Sequence, residues 1–170
     1  MLRQRPVPAR NVGAVACQCL LAVLVAVLVT GCGSGDVEID SPGLGGSDAK
    51  ACARLLAALP DAVSEQPRRP VEPKDAYGAA WGDPAIILRC GVPRPDGFDR
   101  FATCQVANGV GWFVPESQIE DQQSDVVLTT VGFAQNVELQ VPAQYRPPAA
   151  ALVDVADAVK ESIRELRPCL

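Results

Sequence analysis

Apolar positions fall in three rhythms along this chain, and each predicts a different kind of element. The first is nearly continuous. From Gly13 to Val29 the chain runs 17 residues without a charge, interrupted only by Gln18. The second has the helical period. Cys52, Leu55, Leu56 and Leu59 recur at i, i+3, i+4 and i+7, one face of a short helix that starts near Ser47 and stops at Pro60. Beyond Pro147-Pro148, a longer stripe of Leu152, Val155, Ala156, Val159, Ile163 and Leu166 faces away from Asp154, Asp157, Lys160, Glu161, Arg164 and Glu165. It predicts an amphipathic helix ended by Pro168, with its apolar side packed on a sheet.

The third rhythm consists of short apolar runs bounded by turn residues. These predict strands over 76–81, 85–92, 101–107, 110–114, 126–133 and 137–141. Asn108-Gly109 is a two-residue hairpin signal between the third and fourth, and Ala134-Gln135-Asn136 a looser turn between the last two. Residues 60–75 hold four prolines and read as an extended connection. Residues 33–49, rich in Gly, Ser, Pro and Asp, read as a flexible tether spanning about 20–25 Å on average. Helix, antiparallel strands, helix is the order of an α+β fold. The expectation is a two-layer domain: an antiparallel sheet of about five strands, with the short N-terminal helix and the C-terminal amphipathic helix on one face.

The first apolar run follows Arg3, Arg5 and Arg10 and ends at Val29-Thr30-Gly31-Cys32. A basic start, an apolar stretch and small residues directly before a cysteine form a bacterial lipoprotein signal. An uncleaved membrane anchor is the rival, but 17 residues is at the low edge of what crosses a bilayer. The organisation expected is a signal peptide over 1–31, a lipidated N-terminus and linker over 32–49, and one α+β domain over 50–170. Two acyl chains on Cys32 hold a protein stably at the extracytoplasmic face of the cell membrane, where a single chain binds only marginally.

Cleavage changes the charge. It removes three of 15 basic residues and none of 20 acidic ones, so the net charge becomes 12 − 20 = −8 instead of −5. Nucleic acid and anionic lipid surfaces favour clustered Lys and Arg, so neither is an expected partner. Of seven cysteines, Cys17 and Cys19 fall in the signal and Cys32 takes lipid, leaving Cys52, Cys90, Cys104 and Cys169. An even number in an exported chain reads as two disulfides, with three connectivities open. The favoured one joins Cys90 to Cys104 across a hairpin turning at 93–97, and Cys52 to Cys169 near the domain ends. Zinc is disfavoured, because no CxxC pair and no histidine is present, and no metal or cofactor is expected.

Several blocks resemble a known family: Cys52-Ala53-Arg54-Leu55-Leu56-Ala57-Ala58-Leu59-Pro60, Arg68-Arg69-Pro70, Ala80-Trp81-Gly82-Asp83-Pro84, Leu88-Arg89-Cys90-Gly91-Val92, and Asn108-Gly109-Val110 with Trp112. Together they are similar to a family of actinobacterial lipoproteins whose function is not established, over about residues 50–169. The resemblance implies an exported, lipid-anchored domain and supplies no reaction. In that family an arginine often follows the glycine at position 132. Phe133 stands there, so a site built on that arginine does not carry over.

The block from Trp81 to Val92 holds the residue types that grip a small polar ligand: Trp81 as a flat wall, Asp83 as acceptor, Arg89 as forked donor. An arginine inside an apolar strand needs a partner, and Asp83 or Glu138 can serve. The competing reading is an internal ion pair with Trp81 as core. Arg68 and Arg69 read as a solvated loop pair or as contacts for an acidic partner or phosphate. Glu116, Glu120 and Asp121 follow Pro115 in a turn-rich stretch, where acidic pairs serve solubility more often than catalysis. The absence of histidine excludes Ser-His-Asp and Cys-His arrangements, and no GxSxG, Ser-x-x-Lys or phosphate-loop motif is present. The expectation is therefore a non-enzymatic, membrane-anchored envelope module that binds another protein, with an apolar patch on the uncovered sheet face including Trp112 or Phe113. The alternative is a small-ligand-binding lipoprotein using Trp81, Asp83 and Arg89.

Overall fold

The computed structural model describes residues 35–99 and 102–168; the expected signal segment, Cys32 and Cys169 lie outside the described residues. In chain order the elements are β1 (Val37–Glu38), α1 (Gly46–Ala58), β2 (Ala62–Val63), β3 (Gln66–Arg69), β4 (Val71–Glu72), β5 (Gly78–Trp81), β6 (Ile86–Val92), β7 (Cys104–Ala107), β8 (Val110–Phe113), α2 (Glu116–Glu120), β9 (Val126–Thr130), β10 (Asn136–Val141), a 3₁₀ turn over Ala143–Tyr145, and α3 (Ala149–Ser162). Eight strands form one antiparallel sheet in the order β2-β3-β5-β6-β10-β9-β8-β7, and β1 pairs with β4 in a separate parallel two-stranded ladder.

This architecture corrects the expected two-layer, five-strand domain. Each predicted strand span contains an observed strand, but the proline-rich stretch read as a connection holds three more, β2, β3 and β4. Pro67 sits on β3 near the edge, opposite Ala62, where a residue without an N–H is tolerated.

Alternation along β6 and β10 sorts the two faces. Ile86, Leu88 and Cys90, with Val137, Leu139 and Val141, point into the main core together with Leu55 of α1 and Leu152, Val155 and Val159 of α3. Trp81 and Trp112 complete that core and are fully buried. The β7–β8 hairpin turns at Asn108-Gly109, whose φ angles of +46° and +82° supply the left-handed pair a two-residue turn requires.

The opposite face carries Ile87, Arg89, Glu138 and Gln140, and it too is partly covered. Val37 and Glu38 align on Val71 and Glu72, the Ile39 amide bonds the Glu72 carbonyl at 2.8 Å, and Ile39 is only 2% exposed against Ala76 and Ala80. Gly78 permits this approach: a Cβ there would lie 2.8 Å from the Ile39 side chain and 2.7 Å from the Leu88 carbonyl. Residues 37–41 are thus bound to the sheet, which corrects the reading of 33–49 as a flexible tether. Further along, Phe98 packs edge-on against Phe113 at 5.3 Å between centroids.

The start of the first helix agrees with the expectation near Ser47, whereas the end of the last helix differs from it. α1 begins at Gly46 with Gly45 as its cap, and the Ser47 hydroxyl donates to Asp48. α3 stops at Ser162, because the next residues leave the helix to bond the β9–β10 connection: Leu166 N–H reaches the Gly132 carbonyl at 2.7 Å, and Ala134 N–H reaches Arg164 at 2.9 Å. Leu166 therefore leaves the apolar stripe and is 57% exposed.

The disulfide pairing is also corrected. Cys52 of α1 bonds Cys90 of β6, with Cα atoms 5.7 Å apart and both residues fully buried. β6 and β7 do not form the expected hairpin: β10, β9 and β8 lie between them, so Cys90 and Cys104 are far apart in the sheet. Cys104 is itself disulfide-bonded.

Candidate functional site

Trp81, Asp83 and Arg89 do not converge. Trp81 pairs with Ile86 and points into the core, whereas Arg89 pairs with Gly78 and points to the other face, since Arg89 lies an odd three residues beyond Ile86 on the same strand. Trp81 is held by its own contacts: the indole Nε1 donates to the Pro60 carbonyl at 3.1 Å, and the Arg68 guanidinium lies 5.8 Å from the ring centroid.

Arg89 belongs to a row that crosses five strands. Gly78, Arg89, Glu138, Thr129 and Phe113 stand opposite one another from β5 to β8. Arg89 donates from Nε at 3.0 Å, and from a second nitrogen, to the same carboxylate oxygen of Glu138. Its Nη1 also reaches the Asp40 carbonyl at 3.4 Å. The Arg89 and Glu138 side chains are 33% and 16% exposed, so the pair is largely withdrawn from solvent and both charges are satisfied. Of the two partners expected for Arg89, the structure selects Glu138.

Asp83 lies in the β5–β6 turn, 73% exposed, and its carboxylate is 3.8 Å from Arg69, a distance and exposure at which an ion pair contributes little. Arg68 and Arg69 are strand residues of β3, not a solvated loop pair. Arg68 donates to the Leu56 and Leu59 carbonyls, orphan acceptors at the end of α1, at 3.2 and 3.4 Å. Arg69 donates to Gly82 at 3.0 Å and to Gly35 at 2.6 Å, fastening the N-terminal segment to the β5–β6 turn. Sequence reasoning missed both roles, because the carbonyls they satisfy come from distant parts of the chain.

The acidic stretch after Pro115 forms α2, with Glu116 and Glu120 exposed. The Asp121 carboxylate accepts from the Ser124 hydroxyl at 2.6 Å and from the Gln123 amide at 2.9 Å. Those bonds, the Ser124 hydroxyl first, hold its pKa below the ordinary 3.8. A carboxyl so stabilised in its ionised form closes a turn and is a poor proton donor at neutral pH. Among the described residues no group of three or more His, Cys, Asp or Glu side chains is placed to hold a metal ion.

The expected apolar patch is not built by the aromatics of β8, for Trp112 is fully buried and Phe113 is 7% exposed. Open space lies instead at the sheet end carrying the β6–β7 and β9–β10 connections. A hollow of about 500 Å³ there is lined by Arg94, Phe98, Phe133, Leu166 and Arg167, among others. Both fork nitrogens of Arg94 are held by the Phe98 carbonyl, at 3.1 and 2.7 Å.

The model of a family described as a protein of unknown function, DUF3515, matches residues 11–167. The chain belongs to that family. The match runs from the apolar N-terminal run to beyond α3, so every helix and strand described lies within it. No curated protein matches the chain, and no solved structure matches it either.

Proposed function

We propose that this DUF3515 protein is a lipid-anchored, exported binding module of the cell envelope, without catalytic activity of its own. The observation that carries the reading is the pairing of an export signal with a buried disulfide. Val29-Thr30-Gly31-Cys32 closes a basic-then-apolar start, and Cys52–Cys90 ties α1 to the central strand of the core. Such a bond persists in oxidising compartments outside the cytoplasm and is rare within it.

The non-catalytic part rests on how the reactive side chains are employed. Arg89 and Glu138 neutralise each other, Arg68 and Arg69 bond main-chain carbonyls, and Asp121 closes a turn. The small-ligand alternative at Trp81, Asp83 and Arg89 loses its geometry, because Trp81 and Arg89 occupy opposite faces of the sheet.

Crosslinking in cells, with mass spectrometry of what the tagged protein captures, tests the reading against a Cys32→Ala variant. Near-stoichiometric capture of one envelope protein, lost in the variant, supports it. Turnover of a cell-wall or lipid substrate by the purified protein would overturn it.

A further inference from the structure

The N-terminal segment enters the domain at a defined place. The Gly35 carbonyl is held by Arg69, which also holds Gly82 in the turn between β5 and β6. From there the chain runs along β4, buries Ile39 against Ala76 and Ala80, and gives the Asp40 carbonyl to Arg89. The Ser41 hydroxyl accepts the Tyr77 amide at 3.1 Å, and Leu44 lies over Gly91, where a Cβ would meet it at 2.5 Å. Gly91 is near the far end of β6. The segment therefore spans the sheet from the β5–β6 turn to the opposite end before α1 begins at Gly46.

We infer that residues 35–45 are a strap that fixes the domain on the membrane in one orientation, with the β5–β6 turn toward the bilayer. The inference rests on the anchored reading above. Only residues 33 and 34 separate Cys32 from Gly35, so full extension allows about 10 Å between them, less than half the reach of a 33–49 coil. The bilayer-facing end then comprises Gly82 and Asp83 with the groups bonded to that turn: Pro67, whose carbonyl accepts the Gly82 amide at 3.0 Å, and Gln144, which bonds the Asp83 carbonyl at 3.4 Å. At this end Asp36 and Asp83 offset Arg68 and Arg69, so it carries no basic cluster to adhere to anionic lipid. The orientation comes from the strap and the short link alone. Seven residues of β6 raise the opposite end by about 20 Å, so the hollow lined by Phe98, Phe133 and Leu166 faces away from the bilayer.

The test uses the full processed protein extracted from membranes and returned to lipid nanodiscs carrying a gadolinium-chelating headgroup, with amide relaxation read by NMR. The intact mass of the same sample reports the anchor, lipid on Cys32 or a retained apolar segment, independently of orientation. Relaxation enhancement should be strong at Gly82, Asp83, Arg68 and Gln144, and at least about tenfold weaker at Phe98, Phe133 and Gln135, given the ~20 Å strand height. A long Gly-Ser insertion between Ser34 and Gly35 should level that gradient while leaving the amide spectrum of the domain in place. Equal enhancement at both ends, the reverse order, or a gradient indifferent to the insertion would overturn the strap. A protein that does not associate with the nanodisc at all would overturn the anchored reading and the orientation with it.

Discussion

Replacing Cys52 and Cys90 by alanine removes the one cross-link that joins α1 to the centre of the sheet among the described residues. The bond closes a loop with a sequence separation of 38. In the chain-entropy account, a loop of that length restricts the unfolded ensemble by about 13 cal/mol/K, or about 4 kcal/mol at room temperature. Both residues are fully buried, so alanine introduces no new polar group into the core, and the loss is expected near that figure. For a domain of this size such a loss lowers Tm by roughly 10–15 °C. Urea denaturation of oxidised wild type and of the double variant, with both slopes fitted, measures it. Non-reducing peptide mapping of the wild type should place Cys52 and Cys90 in one linked peptide. A difference below about 1 kcal/mol would refute the unfolded-state reasoning, and a Cys90–Cys104 peptide would refute the pairing itself.

The other expectations concern single side chains. Glu138→Ala leaves the Arg89 guanidinium half-buried and unpaired and should cost about 2 kcal/mol, whereas Asp83→Ala, at an exposed turn, should stay within about 0.5 kcal/mol of wild type in the same denaturation assay. Trp81→Ala opens a large cavity and loses the bond to Pro60, for about 3–5 kcal/mol by denaturant midpoint. Asp121 should titrate below the ordinary 3.8 by carbon-detected NMR, and Ser124→Ala should move it upward. Since its folded pKa is depressed, its contribution to stability is present above the unfolded value and fades as pH falls through the folded one. Stability at neutral pH should therefore be insensitive to small pH changes at this group.

Elements with a strong local rhythm were legible. The alternation of β6 and β10, the i, i+3, i+4 stripe of α1 and the Asn108-Gly109 turn each follow from residues close in sequence. The departures arise where distant segments decide. Val37 and Ile39 are two apolar residues in a stretch otherwise dominated by Gly, Asp, Ser and Pro, and nothing near them reveals the Gly78 slot that receives Ile39. β2, β3 and β4 are too short and too proline-interrupted to show a period. Residues 93–97 are turn residues, so they read as a hairpin, yet β7 lies at the far edge of the sheet with β10, β9 and β8 between it and β6. That misreading also misplaced the partner of Cys90. Of the candidate site, the need of Arg89 for a carboxylate was legible from its place in an apolar strand. The separation of Trp81 from Arg89 depended on the parity of the β5–β6 turn, which the residues 82–85 do not disclose by themselves.

The intact mass of the protein taken from the membrane fraction tests the central claim most directly. The account predicts a chain beginning at Cys32, heavier than its residues by a diacylglyceryl group. A mass that includes Met1, or one beginning at an unmodified Cys32, would contradict it.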